Sequence, residues 1–501
     1  MQHNARQPST ACCEPAQNMR RRALSCDSTG VQSVRVTADP TTPIAEPTLE
    51  ALRQRYGGNV PRYTSYPTAV EFHEGFDEAA YRKRLTRASE RKSEPWSVYV
   101  HIPFCRRRCH FCACSVIATP QHDRVAPRYV DGLAQELEQL DPYLSRRRDL
   151  AQLHLGGGTP TYLAPELLAR VYEDLAQRFD FDQLRESSVE IDPRVTTPQH
   201  LDVIAQIGRA TRVSLGVQDL DPDVQDNIGR EQTREQTHAI VSLARSRGIA
   251  EINVDLVYGL PGQEASGFRQ TVDALVAMNI DRIAVYGYAH VPQMRGNQRA
   301  LVGRRPGPNE RVALANAARE QLLSAGYVPV GFDHFALPHD PLARASAEGR
   351  LQRNFMGYTV SGGTDLLGLG VSSISLVDGA FAQNTTKLSR YHDALDRGQL
   401  PIYRGLHRTA DDSIRANIID ALLCRQQVRR DEIQPQLPSA FNAYFACELS
   451  DLAAMARDGL VQDDGQTIRL TDTGRTFARS VARCFDRRSR QRSPRSFSQA
   501  I

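Results

Sequence analysis

The sequence predicts an α/β protein: a partial parallel (β/α)6 barrel with an N-terminal extension and a mainly helical, winged-helix-like C-terminal domain. Three observations predict it. From about 96 to 290, short apolar runs alternate with helical patterns, which is the signature of repeated β-α units and a parallel sheet. Chemically notable residues fall at the carboxyl ends of those runs, where parallel barrels gather their reactive groups. After about 376 the pattern changes to helices and one small hairpin.

Taken in order, residues 1–45 are rich in Ser, Thr, Ala, Gln and Arg, show no hydrophobic periodicity, and read as a disordered extension. Residues 46–95 form a separate N-terminal segment. The catalytic domain spans 96–375, with strands expected at Ser97–Ile102, Ala151–Leu155, Ser187–Ile191, Arg212–Gly216, Glu251–Val257 and Arg282–Tyr286. Between the first two, Val130, Leu133, Ala134, Leu137 and Leu140 recur at helical spacing and mark one buried face. Residues 376–501 form the helical C-terminal domain, with helices at Asp411–Cys424 and Ala446–Asp458, a strand pair around Leu460–Leu470 and a last helix near Thr473–Asp486. Helices followed by a hairpin resemble a winged helix. Such folds serve as lids and interaction modules as well as DNA readers, so the shape alone assigns no nucleic-acid partner.

A chain of 501 residues exceeds what one hydrophobic core usually serves. With 41% hydrophobic and 24% charged residues, and no apolar stretch of about 18 residues, the composition is that of a soluble globular protein rather than a membrane protein. The net charge of +4 is small, and much of it sits in the terminal run Arg487, Arg488, Arg490, Arg492 and Arg495, read as a solvated tail. Neither feature points to nucleic acid. Ten cysteines, four of them between Cys105 and Cys114, are too few and too crowded for a disulfide framework. Clustered thiols point to metal and to a reducing, cytoplasmic setting.

The crowded segment reads Cys105-Arg-Arg-Arg-Cys109-His-Phe-Cys112-Ala-Cys114, a C-x-x-x-C-x-x-C loop directly after the first strand. Three thiolates on a short loop suit three irons of one 4Fe-4S cubane and leave the fourth iron open, unlike an electron carrier with four cysteine ligands. Zinc is the other reading, but zinc sites usually pair two knuckles across a longer spacer. One β-α unit downstream, Gly156-Gly-Gly-Thr159-Pro160 follows the second strand. Glycines there let the backbone approach a ligand and are expected to offer N–H groups to a carboxylate.

These motifs resemble the radical S-adenosylmethionine superfamily and, within it, the oxygen-independent coproporphyrinogen III oxidase family. The resemblance extends to Pro61-Arg-Tyr-Thr-Ser-Tyr-Pro67, Val189-Glu190-Ile-Asp-Pro193, Gly216-Val-Gln218-Asp219, Arg230-Glu-Gln232, Asp255-Leu-Val-Tyr-Gly-Leu-Pro261, Tyr288-Ala289-His290, Arg353-Asn-Phe-Met-Gly-Tyr358 and Gly370-Val-Ser-Ser-Ile374. A related haem-chaperone family shares the cluster loop but typically lacks the Pro61–Pro67 segment and Cys114, and it supplies the alternative reading, with haem-modifying radical enzymes beside it.

The resemblance implies oxidative decarboxylation of two propionates of coproporphyrinogen III to vinyl groups, using a 4Fe-4S cluster and two molecules of S-adenosylmethionine. It implies Cys105, Cys109 and Cys112 as cluster ligands, and Tyr99 and Cys114 as candidate catalytic side chains. Tyr99, Gly157, Glu190 and Ile374 would contact the cluster-bound S-adenosylmethionine. Phe111, Gly158, Thr159, Gln218, Arg230, Asp255 and Ala289 would contact the second, with Arg230 meeting an anionic group of that ligand rather than a structural carboxylate. The bland alternative for Glu190 and Asp255 is a barrel-interior ion pair with arginine. The implied partners are a flavodoxin- or ferredoxin-like reductant and no nucleic acid or membrane, for a monomer. One stretch departs from the family pattern: Gln293-Met-Arg-Gly-Asn-Gln298 is less apolar than the family leads one to expect.

Overall fold

The computed structural model describes residues 48–489 except 361 and 364, so the extension at 1–45 and the arginines at 490, 492 and 495 lie outside the described residues. All six expected strands are present, as β1 Trp96–Ile102, β2 Leu150–Gly157, β3 Glu186–Ile191, β4 Arg212–Gln218, β5 Glu251–Tyr258 and β6 Arg282–Gly287. Each pairs in parallel with the next. Their apolar runs are buried on the helix-covered face: Val98, Val100 and Ile102 of β1, Leu153 and Leu155 of β2, Val213 and Leu215 of β4. The helix His122–Leu144 turns Ala126, Tyr129, Val130, Leu133, Leu137 and Leu140 into the same core. It is fastened by one buried acid, Glu136, which accepts hydrogen bonds from Gly370 N (2.8 Å), Asn384 Nδ2 (2.6 Å) and Tyr391 Oη (2.7 Å).

The sheet is larger than the barrel the sequence predicts. On one edge β7 Val328–Val330 and β8 His334–Ala336 add antiparallel to β6. On the other, β9 Asp365–Leu369 runs parallel to β1 and is followed by β10 Ile374–Val377, β11 Ala380–Asn384 and β12 Ile402–His407, all antiparallel. The twelve strands lie in the order β12-β11-β10-β9-β1-β2-β3-β4-β5-β6-β8-β7. The expected domain boundary at 376 therefore falls inside β10, and the sheet continues to His407. The reason is burial: all five residues of β11 are enclosed, so it carries no polar alternation to announce a strand.

The C-terminal module matches the winged-helix expectation. Helices Ala410–Asp420 and Ala446–Arg457 pack with a three-stranded sheet of Gln427–Arg429, Thr467–Leu470 and Val461–Asp463, and the last expected helix is split into Asp472–Thr476 and Ala478–Arg483. Its core takes in Leu52, Tyr63 and Tyr66 of the N-terminal segment, and Tyr63 donates to Asp486 Oδ2 at 2.9 Å. The terminal arginine run does not begin as a solvated tail, because Arg488 grips Asp412 through Nε (3.0 Å) and Nη2 (2.8 Å). No helix among the described residues is long and apolar enough to cross a membrane.

Candidate functional site

The cysteine loop leaves β1 at its carboxyl end and is closed at its base, where Phe104–Cys105 pairs with Ile117–Ala118. Ile117 N donates to Pro103 O at 2.7 Å and Thr119 N to Cys105 O at 3.1 Å. Within it, a turn brings Cys112 N to Cys109 O at 3.2 Å, and His110 N reaches across to Ile228 O at 2.9 Å. Burial pushes the Cys105 thiol up to about 11, while the hydrogen bond with Cys114 draws Cys112 down to about 6. Among the described residues no three His, Cys, Asp or Glu side chains converge as a single metal ion requires. Thiolates bound to three different irons of one cubane need not converge on one point.

The loop is held from outside by two amides of the Gln293–Gln298 stretch, which the sequence reading marked only as a departure from the family pattern. Asn297 Nδ2 lies 3.1 Å from Cys109 O, 3.1 Å from His110 O and 2.9 Å from Cys112 O. Gln298 Nε2 donates to Phe111 O and to Ala289 O, both at 3.0 Å, and its Oε1 accepts from Val291 N at 2.7 Å. Two amides thus collect four consecutive carbonyls of the cluster loop, which is why the Gln293–Gln298 stretch is polar.

The glycine run does not act as expected. Gly157 N donates to Glu190 Oε2 at 2.9 Å, Gly158 N to Ile102 O at 2.8 Å and Thr159 N to Phe104 O at 2.9 Å, so its amide hydrogens are already engaged within the protein. What the glycines provide is closeness. A Cβ at Gly158 would stand 2.7 Å from the carbonyl oxygens of Pro103 and Phe104, and one at Gly157, where φ is +117°, would meet the His101 ring at 2.5 Å. The run lies flat against the cysteine loop because nothing projects from it, and Thr159 Oγ1 comes within 3.5 Å of Cys105 Sγ.

Facing the loop are the strand-end residues. Burial alone would raise the Glu190 carboxyl, but His154 (Nε2 to Oε1, 3.5 Å), the Gly157 amide and His101 hold it below the usual carboxylate range. Asp255 accepts from Asn253 Nδ2 at 3.0 Å and is pushed up to about 6 by burial and by the neighbouring Glu190 charge. Glu190 has a histidine partner and Asp255 an amide, so the bland reading of an ion pair with arginine fails for both. Gln218, at the end of β4, sits in the left-handed region (φ 70°) where the β4–β5 register shifts. Strained backbone of this kind persists where surroundings hold it in place.

Arg230 corrects one expectation. Its Nη1 stands 3.2 Å from Asp192 Oδ2, and Nη2 donates to Gly216 O (2.5 Å) and Gln232 Oε1 (3.0 Å). A structural carboxylate already occupies it. Asp192, buried and flanked by Arg230 and Arg194, is held down at about 2. The Nε of Arg230 remains a buried donor with no partner.

These groups enclose a cavity of about 590 Å³ lined by Cys105, Cys109, Phe111, Cys112, Cys114, Gly157, Gly158, Thr159, Glu190, Gln218, Arg230 and Asp255, together with Asp192 and Arg194. Three expected residues lie off its wall. Tyr99 stacks on His154 (5.8 Å between rings) and bonds His101 Nδ1 at 2.9 Å, behind Glu190. Ala289 is held through its carbonyl by Gln298, and Ile374 packs with Phe72, Phe381 and Leu406. The residues present suit an iron-sulfur cluster with a polar organic ligand. Three soft donors, carboxylates and an amide line the same cavity, and one buried guanidinium N–H is still unpartnered.

Comparison with known proteins gives a consistent picture. The sequence profile of the Radical SAM superfamily matches residues 99–275. The oxygen-independent coproporphyrinogen III oxidase of Pseudomonas aeruginosa is 41% identical over 456 residues, covering 90% of this chain and 98% of that protein. Its Escherichia coli counterpart is 41% identical over 444 residues, covering 88% and 96%. A solved structure of the Escherichia coli coproporphyrinogen III oxidase, described as a radical SAM enzyme, superimposes with a TM-score of 0.80 at 40% identity, over 85% of this chain and 97% of that one.

Proposed function

The chain belongs to the oxygen-independent coproporphyrinogen III oxidase family of the radical S-adenosylmethionine superfamily, and from that membership we infer that it converts two propionates of coproporphyrinogen III to vinyl groups, giving protoporphyrinogen IX in haem biosynthesis. The observation that carries the reading is one cavity lined by Cys105, Cys109 and Cys112 together with Glu190, Gln218 and Asp255. Per propionate, the conversion transfers a hydrogen atom from the β-carbon to a 5′-deoxyadenosyl radical, then releases carbon dioxide and passes one electron to an external one-electron acceptor. A 4Fe-4S cluster with S-adenosylmethionine supplies the 5′-deoxyadenosyl radical able to remove that hydrogen.

The remaining work belongs to the chain. Cys105, Cys109 and Cys112 hold the cluster, and Asn297 and Gln298 keep their loop closed. Glu190, ionised by its histidine and amide partners, accepts hydrogen bonds from the hydroxyls of the first S-adenosylmethionine, with Gly157 on the same cavity and Tyr99 acting from behind through His101 and His154. Phe111, Gly158, Thr159, Gln218, Asp255 and the spare Nε–H of Arg230 receive a second molecule, with Ala289 connected to that wall only through Gln298 and Phe111. Cys114 borders the cavity beside Cys112 and acts on the substrate rather than on iron. The 46–95 segment is associated with substrate. Arg106 and Arg107, exposed on the cluster loop, suit an acidic flavodoxin- or ferredoxin-type donor. The free state of every described cysteine suits the cytoplasm, and the chain works as a monomer without nucleic acid or membrane.

Anaerobic incubation of the reconstituted protein with coproporphyrinogen III, S-adenosylmethionine and a reductant is the test. Protoporphyrinogen IX is the expected product. Cleavage of S-adenosylmethionine without any vinyl product would favour a haem chaperone or haem-modifying enzyme instead.

A further inference from the structure

One strand beyond Asp255, the ends of β5 and β6 carry a group of arginines that the site above does not use. Arg62, from the Pro61–Pro67 segment, donates Nη2 to Gly287 O at 2.9 Å. Arg311, on the helix Pro308–Ser324, donates Nη2 to the next carbonyl, Tyr288 O, at 3.1 Å. Two guanidinium groups are thus anchored on consecutive carbonyls where β6 ends. Glycines make room for Arg311: a Cβ at Gly259 would meet its Nε at 3.2 Å, and one at Gly287 would meet its Nη2 at 3.4 Å and the Tyr258 hydroxyl at 2.9 Å. Arg353 props the first of the pair, donating Nη1 to Arg62 O and Tyr63 O at 3.0 Å each while lying over the Phe332 and Tyr358 rings.

The positive charge here outnumbers the acids that face it, Asp333 beside Arg62 and Arg353 and Asp420 beside Arg353. Among the described residues, neither Arg62, Arg311, Arg353 nor the exposed Arg305 forms an ion pair, and the buried Nε of Arg311 has no hydrogen-bond partner. Asp333 bonds His334 at 2.7 Å and also faces Arg353 and Arg62, which, against its burial, help His334 hold its carboxyl below the usual range. Burial and the charges of Arg305 and Arg62 push Arg311 below its ordinary range, and burial with Arg62 and Arg353 brings Arg479 down to about 10. Arginines that repel one another across partly buried carbonyls are unfavourable in the free protein, and a ligand with two or more carboxylates relieves them.

We propose that Arg62 and Arg311, supported by Arg353 and Arg305, form a site for the propionate carboxylates that do not react, and so orient the macrocycle with its reacting arm toward the cavity at Asp255. This rests on the substrate assignment above. Chemistry favours the non-reacting arms: a guanidinium clamped on the departing carboxylate would stabilise it against loss, whereas one on a retained arm holds ground state and transition state alike. Losing such a contact raises KM more than it lowers kcat.

The test uses the full-length, cluster-loaded protein. Binding of coproporphyrin III, the unreactive oxidised macrocycle with four free carboxylates, is compared with that of its tetramethyl ester in wild type, Arg311→Leu, Arg311→Gln and Arg62→Gln. Each substitution should weaken the acid about tenfold or more, leave the ester unchanged, raise KM for coproporphyrinogen III, and leave iron content and unfolding temperature at or slightly above wild type. Unchanged preference for acid over ester in both Arg311→Gln and Arg62→Gln overturns the proposal. So does a fall in unfolding temperature without loss of that preference, which would make these arginines structural. If wild type binds the acid but forms no vinyl product, the substrate assignment fails, independently of what the variants show.

Discussion

Replacing Arg230 with leucine probes the correction the structure makes most plainly. The substitution removes the Nη1 contact to Asp192 and the bonds to Gly216 O and Gln232 Oε1, all within a buried pocket. Asp192 lies at about 2 against an ordinary 3.8, a difference of roughly 2.5 kcal/mol at 1.36 kcal/mol per pKa unit. Arg230 shares this with Arg194, so about half is lost. The two remaining hydrogen bonds at a net 0.5–1.5 kcal/mol each bring the cost to about 3 kcal/mol, near the lower range for breaking a buried pair. For a unit of this size that is a fall of about 3 °C in unfolding midpoint. The pH dependence has a definite sign. A depressed carboxylate contributes stability that is complete above its ordinary pKa and is lost as pH falls through its folded value. The deficit of Arg230→Leu should therefore be constant above pH of about 5 and shrink between about 4 and 2. Differential scanning calorimetry of both proteins across that range is the assay. An unchanged midpoint at pH 7, with no convergence in acid, would refute the pairing and return Arg230 to a purely ligand-binding role.

Other expectations follow from the same geometry. Asn297→Ala removes two N–H donors shared among three loop carbonyls, weakening loop closure by about 1–3 kcal/mol, and iron retention under chelator challenge should fall while the far-ultraviolet circular dichroism stays constant; wild-type retention would show the clamp to be incidental. Gly158→Ala forces a methyl group to 2.7 Å from two carbonyl oxygens, and an overpacking cost of about 1–3 kcal/mol should appear as lowered cluster absorbance and stability, whereas normal loading would show that the loop can shift freely. Cys112→Ser should abolish cluster absorbance and Cys114→Ser should keep it while slowing decarboxylation; iron loss in both would make Cys114 a ligand.

The six barrel strands were legible to within one or two residues at each end because they are the case sequence describes best: nearly unbroken apolar runs between helices with a single buried face. What stayed hidden were strands such as Ala380–Asn384 and Ile402–His407, short pieces whose neighbours, not their own pattern, make them strands. The site divides along the same line. Cys105, Cys109 and Cys112 announce themselves by spacing within one loop. Asn297 works on carbonyls nearly two hundred positions away, where any donor-acceptor geometry is invisible to a local reading. Arg230 was visible as a residue, but its partner Asp192 lay in a motif noted for its neighbour Glu190. The glycines were found for one reason and serve another, since only the folded chain shows that the Gly157 and Gly158 amide hydrogens are spent on Glu190 and Ile102.

The central claim is that a hydrogen atom leaves the β-carbon of a substrate propionate for the adenosyl group formed at this site. The most direct measurement is mass spectrometry of 5′-deoxyadenosine after anaerobic turnover of coproporphyrinogen III deuterated at the β-carbons of its propionates. One deuterium in the 5′-deoxyadenosine of productive turnovers, with matching loss from the vinyl product, is the predicted result. Deoxyadenosine carrying no deuterium while vinyl groups accumulate would contradict it.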